Sequence, residues 1–290
     1  MVVLSAAGAE PPDGARRVGY RVICVPSHGH RAYSGVMTST PEQHQHAAVV
    51  TGASTGIGEA TARLLARHGW TVYAVARRAE RLEALADGTG IIPVPADITE
   101  DDDVARLLAT VTERGGIDTL VNIAGGARGV DYIADAKTED WEWMYRVNVL
   151  GTMKITRAFL PMLRAHGEGT VLNLTSTAGL AGYEGGAGYN AAKFAERGMT
   201  QALRLEEVGN NVRIIEILPG LVQTEEFSLN RLGDQSAADK VYAGVEKPLT
   251  ADDVAEVVVH SVTLPHHVNL DEIVIRPVAQ AANHKIVRTQ

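Results

Sequence analysis

The sequence AAVVTGASTGIGEATARLLARH, residues 47–68, determines the fold. Its first four residues are apolar and predict a short strand, and residues 56–68 have the apolar spacing of a helix. Between them, Gly52, Gly56 and Gly58 let the chain turn tightly and let backbone N–H groups approach a pyrophosphate at the helix N-terminus. The spacing GxxxGxG differs from the GxGxxG of ordinary dinucleotide-binding folds. We predict a phosphate-binding turn because of what the glycines allow at this place, and not because the spacing matches. The alternative is a glycine-rich turn that binds nothing.

Strands and helices alternate from this turn onward. We predict strands at residues 47–50, 70–76, 91–94, 117–124, 170–174, 212–218 and 271–276, and helices at residues 56–68, 78–87, 101–114, 138–163, 188–208 and 250–262. Gly151 and Pro161 lie inside the long helix, where we expect irregularities. Helices of this length between strands require right-handed crossovers. The sequence therefore predicts an α/β fold with a doubly wound parallel sheet of the Rossmann type.

The domain organisation follows from where this alternation starts and stops. Residues 1–46 mix Gly, Pro, Ser, Arg and His without a period, so we predict a poorly ordered N-terminal extension. We expect one Rossmann-type domain over residues 47–280, with a small C-terminal substrate lobe that includes the polar loop 224–247, and a tail over residues 281–290. Because the catalytic domain could begin just after Met37, either Met1 or Met37 is the native start. Two His-x-His pairs, at residues 28–30 and 44–46, have no cysteine or carboxylate cluster nearby, so we predict no metal site.

Composition narrows the function classes. A formal net charge of -8 argues against a nucleic-acid-binding surface. No apolar run reaches the roughly 18 residues that a membrane span needs. The single cysteine, Cys24, excludes an intrachain disulfide framework and fits a reducing compartment. We therefore expect a cytoplasmic protein that binds neither nucleic acid nor membrane.

A second stretch, LTSTAGLAGYEGGAGYNAAK at residues 174–193, carries candidate catalytic groups. Tyr189 and Lys193 are four residues apart, so they share one face of a helix. An ammonium that close favours the phenolate, and we expect it to lower the tyrosine pKa. A phenol tuned in this way can exchange a proton with a carbonyl or an alcohol. Ser176, at the end of the preceding strand, can hydrogen-bond the same substrate oxygen.

The end of the second strand indicates which dinucleotide would bind. An acidic residue there would bind the ribose 2′-hydroxyl and repel a 2′-phosphate. This chain has Ala76 followed by Arg77 and Arg78, and two guanidiniums favour a phosphate dianion. The alternative is a solvated helix start in which Glu80 and Glu83 pair with the arginines. We predict NADP.

Taken together, these motifs resemble the short-chain dehydrogenase/reductase family. The resemblance covers residues 47–280 and includes TGASTGIG at 51–58, NIAG at 122–125 (with Ile123 in place of a second Asn), ADIT at 96–99, VNVLG at 147–151 and PGLVQT at 219–224. It implies a catalytic tetrad of Asn148, Ser176, Tyr189 and Lys193, in which Asn148 positions a water. It also implies cofactor contacts from Gly52, Ser54, Thr55, Gly56, Ile57, Gly58, Arg77, Arg78, Asp97, Ile98, Asn122, Ala124, Gly125, Tyr189, Lys193, Pro219, Gly220, Val222 and Thr224.

A narrower resemblance lies near the C-terminus. Residues 219–228 and 261–280 are similar to NADP-dependent 3-hydroxy acid (serine or allo-threonine) dehydrogenases, a tetrameric branch of the family. This implies a homotetramer and a cation that binds the substrate carboxylate, for which Arg231, Lys240 and Lys247 are the candidates. A solvated surface charge is the alternative for each of them. Tyr183 and Glu184 precede the catalytic helix and could border the substrate.

The sequence is compatible with three functions. The first is an NADP-dependent oxidoreductase that acts on a small hydroxy acid. The second keeps the chemistry but reduces lipid, polyketide or xenobiotic carbonyls. The third is a nucleotide-sensing protein without catalysis, because a fold alone does not imply activity. The complete set of Ser176, Tyr189 and Lys193 argues against the third.

Overall fold

The computed structural model describes residues 46–289, so Cys24, Met37 and most of the predicted N-terminal extension lie outside the described residues. The strands are β1 Ala47–Thr51, β2 Thr71–Ala76, β3 Ile92–Pro95, β4 Thr119–Asn122, β5 Thr170–Leu174, β6 Arg213–Pro219, β7 Val222–Gln223, β8 Leu249–Thr250, β9 Glu272–Ile275, β10 Gln280–Ala282 and β11 Lys285–Ile286. The helices are α1 Gly56–Arg67, α2 Ala79–Ala86, α3 Asp101–Glu113, α4 Thr138–Tyr145, α5 Thr152–His166, α6 Ala187–Glu207, α7 Phe227–Leu232, α8 Gln235–Tyr242 and α9 Ala251–Thr263.

Seven strands form one parallel sheet in the order β3-β2-β1-β4-β5-β6-β9. The strand order reverses between β1 and β4, which is where ligands bind in open sheets of this kind. Apolar side chains of α1, α2 and α9 pack on one face of the sheet, and those of α3, α5 and α6 pack on the other. The predicted doubly wound parallel sheet is confirmed.

The alternation of side chains along β1 shows how the sheet is covered. Ala48 and Val50 point to the face that carries α1 and α9, and Val49 points to the opposite face. All three are fully buried. A central strand covered on both faces is therefore apolar throughout, as the sequence of residues 47–50 indicates.

The long predicted helix is interrupted at one of the two expected positions. Residues Arg146–Gly151 form a π-helical turn between α4 and α5, whereas Pro161 stays inside α5. In this turn the Asn148 side-chain amide donates to the carbonyl of Met144 at 2.7 Å, four residues earlier. This side-chain bond occupies a carbonyl that an α-helical backbone N–H would otherwise use, which explains the local widening.

The stretch predicted as a polar loop is more regular than expected. The stretch 224–247 contains the two short helices α7 and α8, and Asp234 caps α8 through a bond from the Ala237 N–H at 2.8 Å. The predicted tail 281–290 begins inside a hairpin, because β10 crosses the predicted boundary at residue 280 and pairs with β11. Arg288 then donates to two backbone carbonyls at the end of α8, those of Val241 and Ala243. Helix α9 begins with a capping box formed by Thr250 and Asp253.

His46 is the one member of the His-x-His pairs that the structure describes. Its ring stacks on Trp70, with centroids 4.7 Å apart, and its Nδ1 lies 2.9 Å from an oxygen of Asp118. These contacts pack the start of β1 at the amino end of the sheet. Within residues 46–289, no group of three or more His, Cys, Asp or Glu side chains is arranged to hold a metal ion.

None of the described helices is both long enough and apolar enough to cross a membrane.

Candidate active site

One cavity of about 890 Å³ opens at the carboxyl ends of the strands, at the reversal between β1 and β4. Its lining includes every predicted cofactor residue except Asn122, and three of the four predicted catalytic residues: Ser176, Tyr189 and Lys193. Asn148 and Asn122 are buried behind this wall. A space of this size is ordinary for a small-molecule site.

The glycine turn forms one end of the cavity. Thr51 joins the loops after β1 and β4, because its hydroxyl accepts hydrogen bonds from the N–H groups of Ile123 and Ala124, both at 3.0 Å. A Cβ on Gly58 would lie 2.2 Å from the Gly52 carbonyl oxygen, so only glycine allows α1 to start this close to the turn. Helix α1 therefore begins directly at the cavity.

This helix start fits a phosphate. Thr55 precedes α1 but makes no side-chain capping bond, and its buried hydroxyl has no partner among the described residues. The first N–H groups of the helix are thus left without a side-chain cap, and the positive end of the helix dipole faces the cavity. A pyrophosphate at this position would satisfy these donors.

The predicted 2′-phosphate site has a different partner from the one expected. Arg78 donates to both carboxylate oxygens of Glu226, at 2.9 and 2.8 Å, and to the Ser54 hydroxyl at 3.0 Å. It does not hydrogen-bond Glu80 or Glu83, which the sequence offered as partners. Glu226 also pairs with Arg81 at 2.9 Å. Arg78, directly after the Arg77 that follows β2, is therefore connected to Glu226, the residue that immediately precedes α7.

Ser176, Tyr189 and Lys193 meet on the opposite side of the cavity. Ser176 follows β5, and its oxygen accepts a bond from the Ala178 N–H at 3.0 Å, a bond that does not use its hydroxyl proton. The Lys193 Nζ lies 5.9 Å from the centroid of the Tyr189 ring. Asn190 fixes this arrangement, because its amide donates to the Ala178 carbonyl at 2.8 Å. The structure thus brings together the three groups that the sequence predicts.

The net pKa shift of Tyr189 differs from the prediction. Burial of the ring raises the pKa of Tyr189 above its ordinary value, and the Lys193 ammonium acts in the opposite direction without overcoming burial. The Ser176 hydroxyl also acts to lower this pKa, whereas Tyr183 and Glu196 raise it. Spacing along a helix predicts the lysine contact but not the desolvation of the phenol, which depends on packing across the cavity.

Lys193 has a buried partner that sequence reasoning missed. Its Nζ lies 2.6 Å from Oε2 of Glu196, and the side chains are 4% and 1% exposed. Burial alone lowers the pKa of Lys193, but Glu196, the Tyr189 phenol and Glu216 outweigh burial and raise it. The ammonium is therefore held in its charged form. The three-residue spacing of Lys193 and Glu196 on a helix was the available sequence signal.

Asn148 lies behind the cavity wall. Its side-chain oxygen accepts from the Gly126 N–H at 3.1 Å, and its amide donates to the Gly126 carbonyl at 2.9 Å. A Cβ on Gly125 would lie 2.6 Å from this Asn148 oxygen and 3.5 Å from Lys193 Nζ. Glycine at position 125 thus lets the amide and the ammonium approach the same backbone.

Asn122, which the sequence predicts as a cofactor contact, is buried and does not line the cavity. Its amide nitrogen donates to Thr156 at 3.1 Å and to Asn173 at 2.9 Å, in the buried layer beneath the sheet end. The side chain of Asn122 is therefore used for packing β4 against β5 and α5. Asp97 does line the cavity, and one of its oxygens accepts from Thr99.

Helix α7 and the loop before α6 form another part of the cavity lining. Arg231 lies 5.7 Å from the ring centroids of both Tyr183 and Tyr189, and it also lines the cavity. Lys240 and Lys247, the other two candidate cations, are exposed and do not line it. Tyr183 and Glu184, which precede α6, border the cavity.

Several lining residues carried no sequence signal. Phe227 packs edge-on against the Tyr189 ring at 5.9 Å, and Trp143 receives the Arg128 guanidinium at 4.1 Å from its centroid. The hairpin after β9 and the residues that flank it add their own side chains to the lining: Gln280, Asn283, Ile286 and Arg288. Their part in the cavity depends on the position of α7 and the hairpin, which no local pattern encodes.

Comparison with known proteins identifies the family. Residues 46–233 match the family model described as short chain dehydrogenase. The chain therefore belongs to the short-chain dehydrogenase family, as its motifs predict, and it is an oxidoreductase of that family.

Individual relatives and structures agree with this. The chain is 53% identical over 236 residues to an uncharacterized oxidoreductase of Mycobacterium tuberculosis, covering 81% of this chain and 92% of the relative. It is 38% identical over 237 residues to the NADP-dependent 3-hydroxy acid dehydrogenase YdfG of Salmonella typhi, covering 80% and 95%. A closed form of serine dehydrogenase in complex with NADP+ is 38% identical, with a TM-score of 0.79 over 84% of this chain and 100% of that one.

Proposed function

We propose that this protein transfers a hydride between NADP(H) and a small hydroxy acid, specifically a 3-hydroxy acid and its carbonyl form. The dinucleotide is NADP, as Arg77 and Arg78 predict, and the NADP-dependent relative and the NADP+ complex support this. When bound, the nicotinamide supplies the hydride chemistry. The residues of this chain bind the cofactor, hold the substrate and move one proton.

Each reacting group has a distinct task in the reduction. The hydride adds to the carbonyl carbon, and negative charge develops on the carbonyl oxygen, where the hydroxyl protons of Ser176 and Tyr189 stabilise it. Tyr189 donates its proton to that oxygen and completes the alcohol. Lys193 keeps its positive charge beside the resulting phenolate. Asn148 is proposed to hold a water on the path by which a proton returns from solvent.

The position of Arg231 is the observation that supports the proposed substrate class. Its guanidinium donates only to neutral oxygens, those of Gly129, Tyr183 and Gly185 at 3.0–3.2 Å. Among the described residues it makes no ion pair, so its charge is not neutralised by the protein. A cation in this state, beside the reactive tyrosine and at the cavity wall, favours a carboxylate substrate. The short distance to Tyr189 favours a small one.

The test compares charged and neutral substrates in a variant at this position. We expect Arg231→Met to lower kcat/KM for a 3-hydroxy acid by about 10- to 100-fold more than for a neutral alcohol of the same length, since a charge-assisted hydrogen bond is worth about 1.5–3 kcal/mol. Arg231→Lys keeps the charge but loses the planar geometry, and it should recover part of the difference. Lys240→Met is the matched control on an exposed cation.

The outcomes also separate the alternative functions. An equal loss on both substrates would contradict the carboxylate role of Arg231. A wild-type protein that prefers extended neutral carbonyls would indicate the ketoreductase function instead. Absence of NADPH consumption across a panel of carbonyls would indicate a nucleotide-sensing protein. The homotetramer and the cytoplasmic location expected from the sequence remain predictions.

A further inference from the structure

Glu196 is a carboxylate that the mechanism above does not use. It lies on α6, three residues after Lys193, and its side chain is 1% exposed. Its Oε2 lies 2.6 Å from the Lys193 Nζ, which also donates to the Leu174 carbonyl at 3.3 Å. Burial raises the pKa of Glu196, and the Lys193 ammonium opposes this shift without overcoming it, so the ionised carboxylate depends on its lysine partner. A buried carboxyl group next to the reacting groups therefore needs an explanation.

The contacts of Lys193 restrict where its ammonium can point. An ammonium has three N–H donors, and two of them are directed at Glu196 and Leu174. Both acceptors belong to rigid elements, α6 and the end of β5. The remaining donor is left for the side of Nζ that faces the Tyr189 ring and the cavity. Glu196 therefore fixes the rotamer of a long, flexible side chain.

Glu196 also changes the charge that Tyr189 experiences. The Lys193 ammonium lowers the pKa of Tyr189, and the Glu196 carboxylate raises it. Other charged or titratable groups face this pair: Glu216 from β6, Tyr183 from the loop before α6, and Arg231 from α7. Glu196 is the carboxylate that touches the lysine, so it is the one placed to moderate the ammonium.

We propose that Glu196 is a positioning residue of the proton-transfer centre, which orients the Lys193 ammonium toward Tyr189 and reduces its electrostatic effect on the phenol. The inference rests on the proposed function, in which Tyr189 exchanges the proton. Glu196 is not among the residues that line the cavity, and it acts through Lys193.

The pH profile of alcohol oxidation tests this proposal. Oxidation needs the Tyr189 phenolate as a base, so its rate rises with pH through the pKa of this group. Glu196→Gln removes a negative charge but keeps the shape, so the phenolate becomes easier to form. We expect the acidic limb of the kcat/KM profile to move down by about one pH unit, the effect of one charge several ångströms away at an effective dielectric constant of about 20.

A direct titration provides a readout that does not depend on turnover. Ultraviolet difference spectra of tyrosinate, with the Tyr189→Phe spectrum subtracted, follow ionisation of Tyr189 alone. The same downward shift is expected there for Glu196→Gln. A shift in the titration with no wild-type turnover would support the role of Glu196 and contradict the proposed function.

Glu207→Gln is the matched control. Glu207 is a second buried carboxylate on α6, and it pairs with Arg164 away from the cavity. This variant should be less stable than the wild type, and the acidic limb of its kcat/KM profile should not move. An unshifted limb and titration in Glu196→Gln would overturn the proposal, since a merely structural role predicts that result.

A second substitution covers the case in which Glu196→Gln does not fold. Glu196→Asp keeps the charge but withdraws it from Nζ by one methylene. We expect a several-fold lower kcat with a smaller shift of the limb than for glutamine. An unchanged kcat in Glu196→Asp would contradict the orienting role.

Discussion

Tyr189 is the residue on which the proposed chemistry depends most directly. It lies with Ser176 and Lys193 on one wall of the cavity, and Phe227 packs against its ring. We expect Tyr189→Phe to bind NADPH normally and to lose nearly all turnover, because phenylalanine keeps the ring packing but has no proton to transfer. Fluorescence titration measures binding and NADPH oxidation measures turnover. Retention of a substantial share of the wild-type turnover would refute the assignment.

Residue-level predictions succeed where the relevant contact is local in sequence. Tyr189 and Lys193 could be paired because a helix places residues four apart on one face. The partner of Arg78 could not be predicted, since Glu226 is 148 positions away and the local candidates Glu80 and Glu83 were equally plausible. The direction of the Tyr189 pKa shift depends on burial, which is likewise a property of the packed cavity.

The ion pair of Arg78 with Glu226 joins the start of α2 to the start of α7, and we expect it to affect the binding of both substrates. Arg78 is shared between Glu226 and the proposed 2′-phosphate site. We expect Glu226→Gln to lower the KM for NADPH by about 3- to 10-fold, since a competing carboxylate is removed. The same variant should raise the KM for the hydroxy acid, because α7, which carries Arg231, loses an anchor. Steady-state kinetics with each substrate varied measures both.

Glu225→Gln provides the control for this pair of effects. Glu225 is 73% exposed and approaches Arg81 at 3.6 Å. Its removal should change both constants by less than about 2-fold, as expected for an exposed ion pair. If Glu226→Gln left both constants unchanged, α7 and the proposed 2′-phosphate site at Arg78 would not be linked through this carboxylate.

Elements were predictable in proportion to their periodicity. The strands and helices of the main sheet have strong apolar patterns, and their observed bounds lie close to the predicted ones outside the interrupted helix. Helices α7 and α8 are short and polar, so their sequence looks irregular. The hairpin β10–β11 is also short, and the chain after it is held by backbone bonds such as that from the Thr289 N–H to the Gly244 carbonyl at 2.7 Å.

Glu216 makes the free energy of unfolding of the protein depend on pH. It is fully buried in β6, one oxygen accepts from Thr175 at 2.7 Å, and the other has no partner among the described residues. Burial raises the pKa of Glu216 to about 7. The folded protein thus holds this proton more tightly than the unfolded chain, so the stability that protonation provides is lost as pH rises from about 4.5 to about 7.

Glutamine at this position should remove that dependence. Between about pH 5 and about pH 8, we expect Glu216→Gln to gain about 2–3 kcal/mol relative to wild type in the free energy of unfolding, measured with urea. Glu207→Gln is the control with the opposite sign, because its pairing with Arg164 lowers the pKa of Glu207. Its effect should stay constant over this range and diminish only in stronger acid. A parallel pH dependence for wild type and Glu216→Gln would contradict the prediction.

The whole fold was predictable because one glycine turn and a regular alternation of elements leave few topologies. The lobe beside the cavity was not, since its contacts join residues far apart, such as Arg231 with Gly129 and Gly185. The proposed substrate class therefore depends on the three-dimensional position of the Arg231 guanidinium, which the sequence alone does not indicate.

The two ends of the described residues lie at opposite ends of the parallel strands, which matters for engineering. His46 leads into β1 at the amino end of the strands, whereas the cavity opens at their carboxyl ends. Arg288, by contrast, belongs to the cavity wall. An affinity handle or a surface tether joined just after Arg288 would therefore start at the cavity wall and restrict substrate exchange.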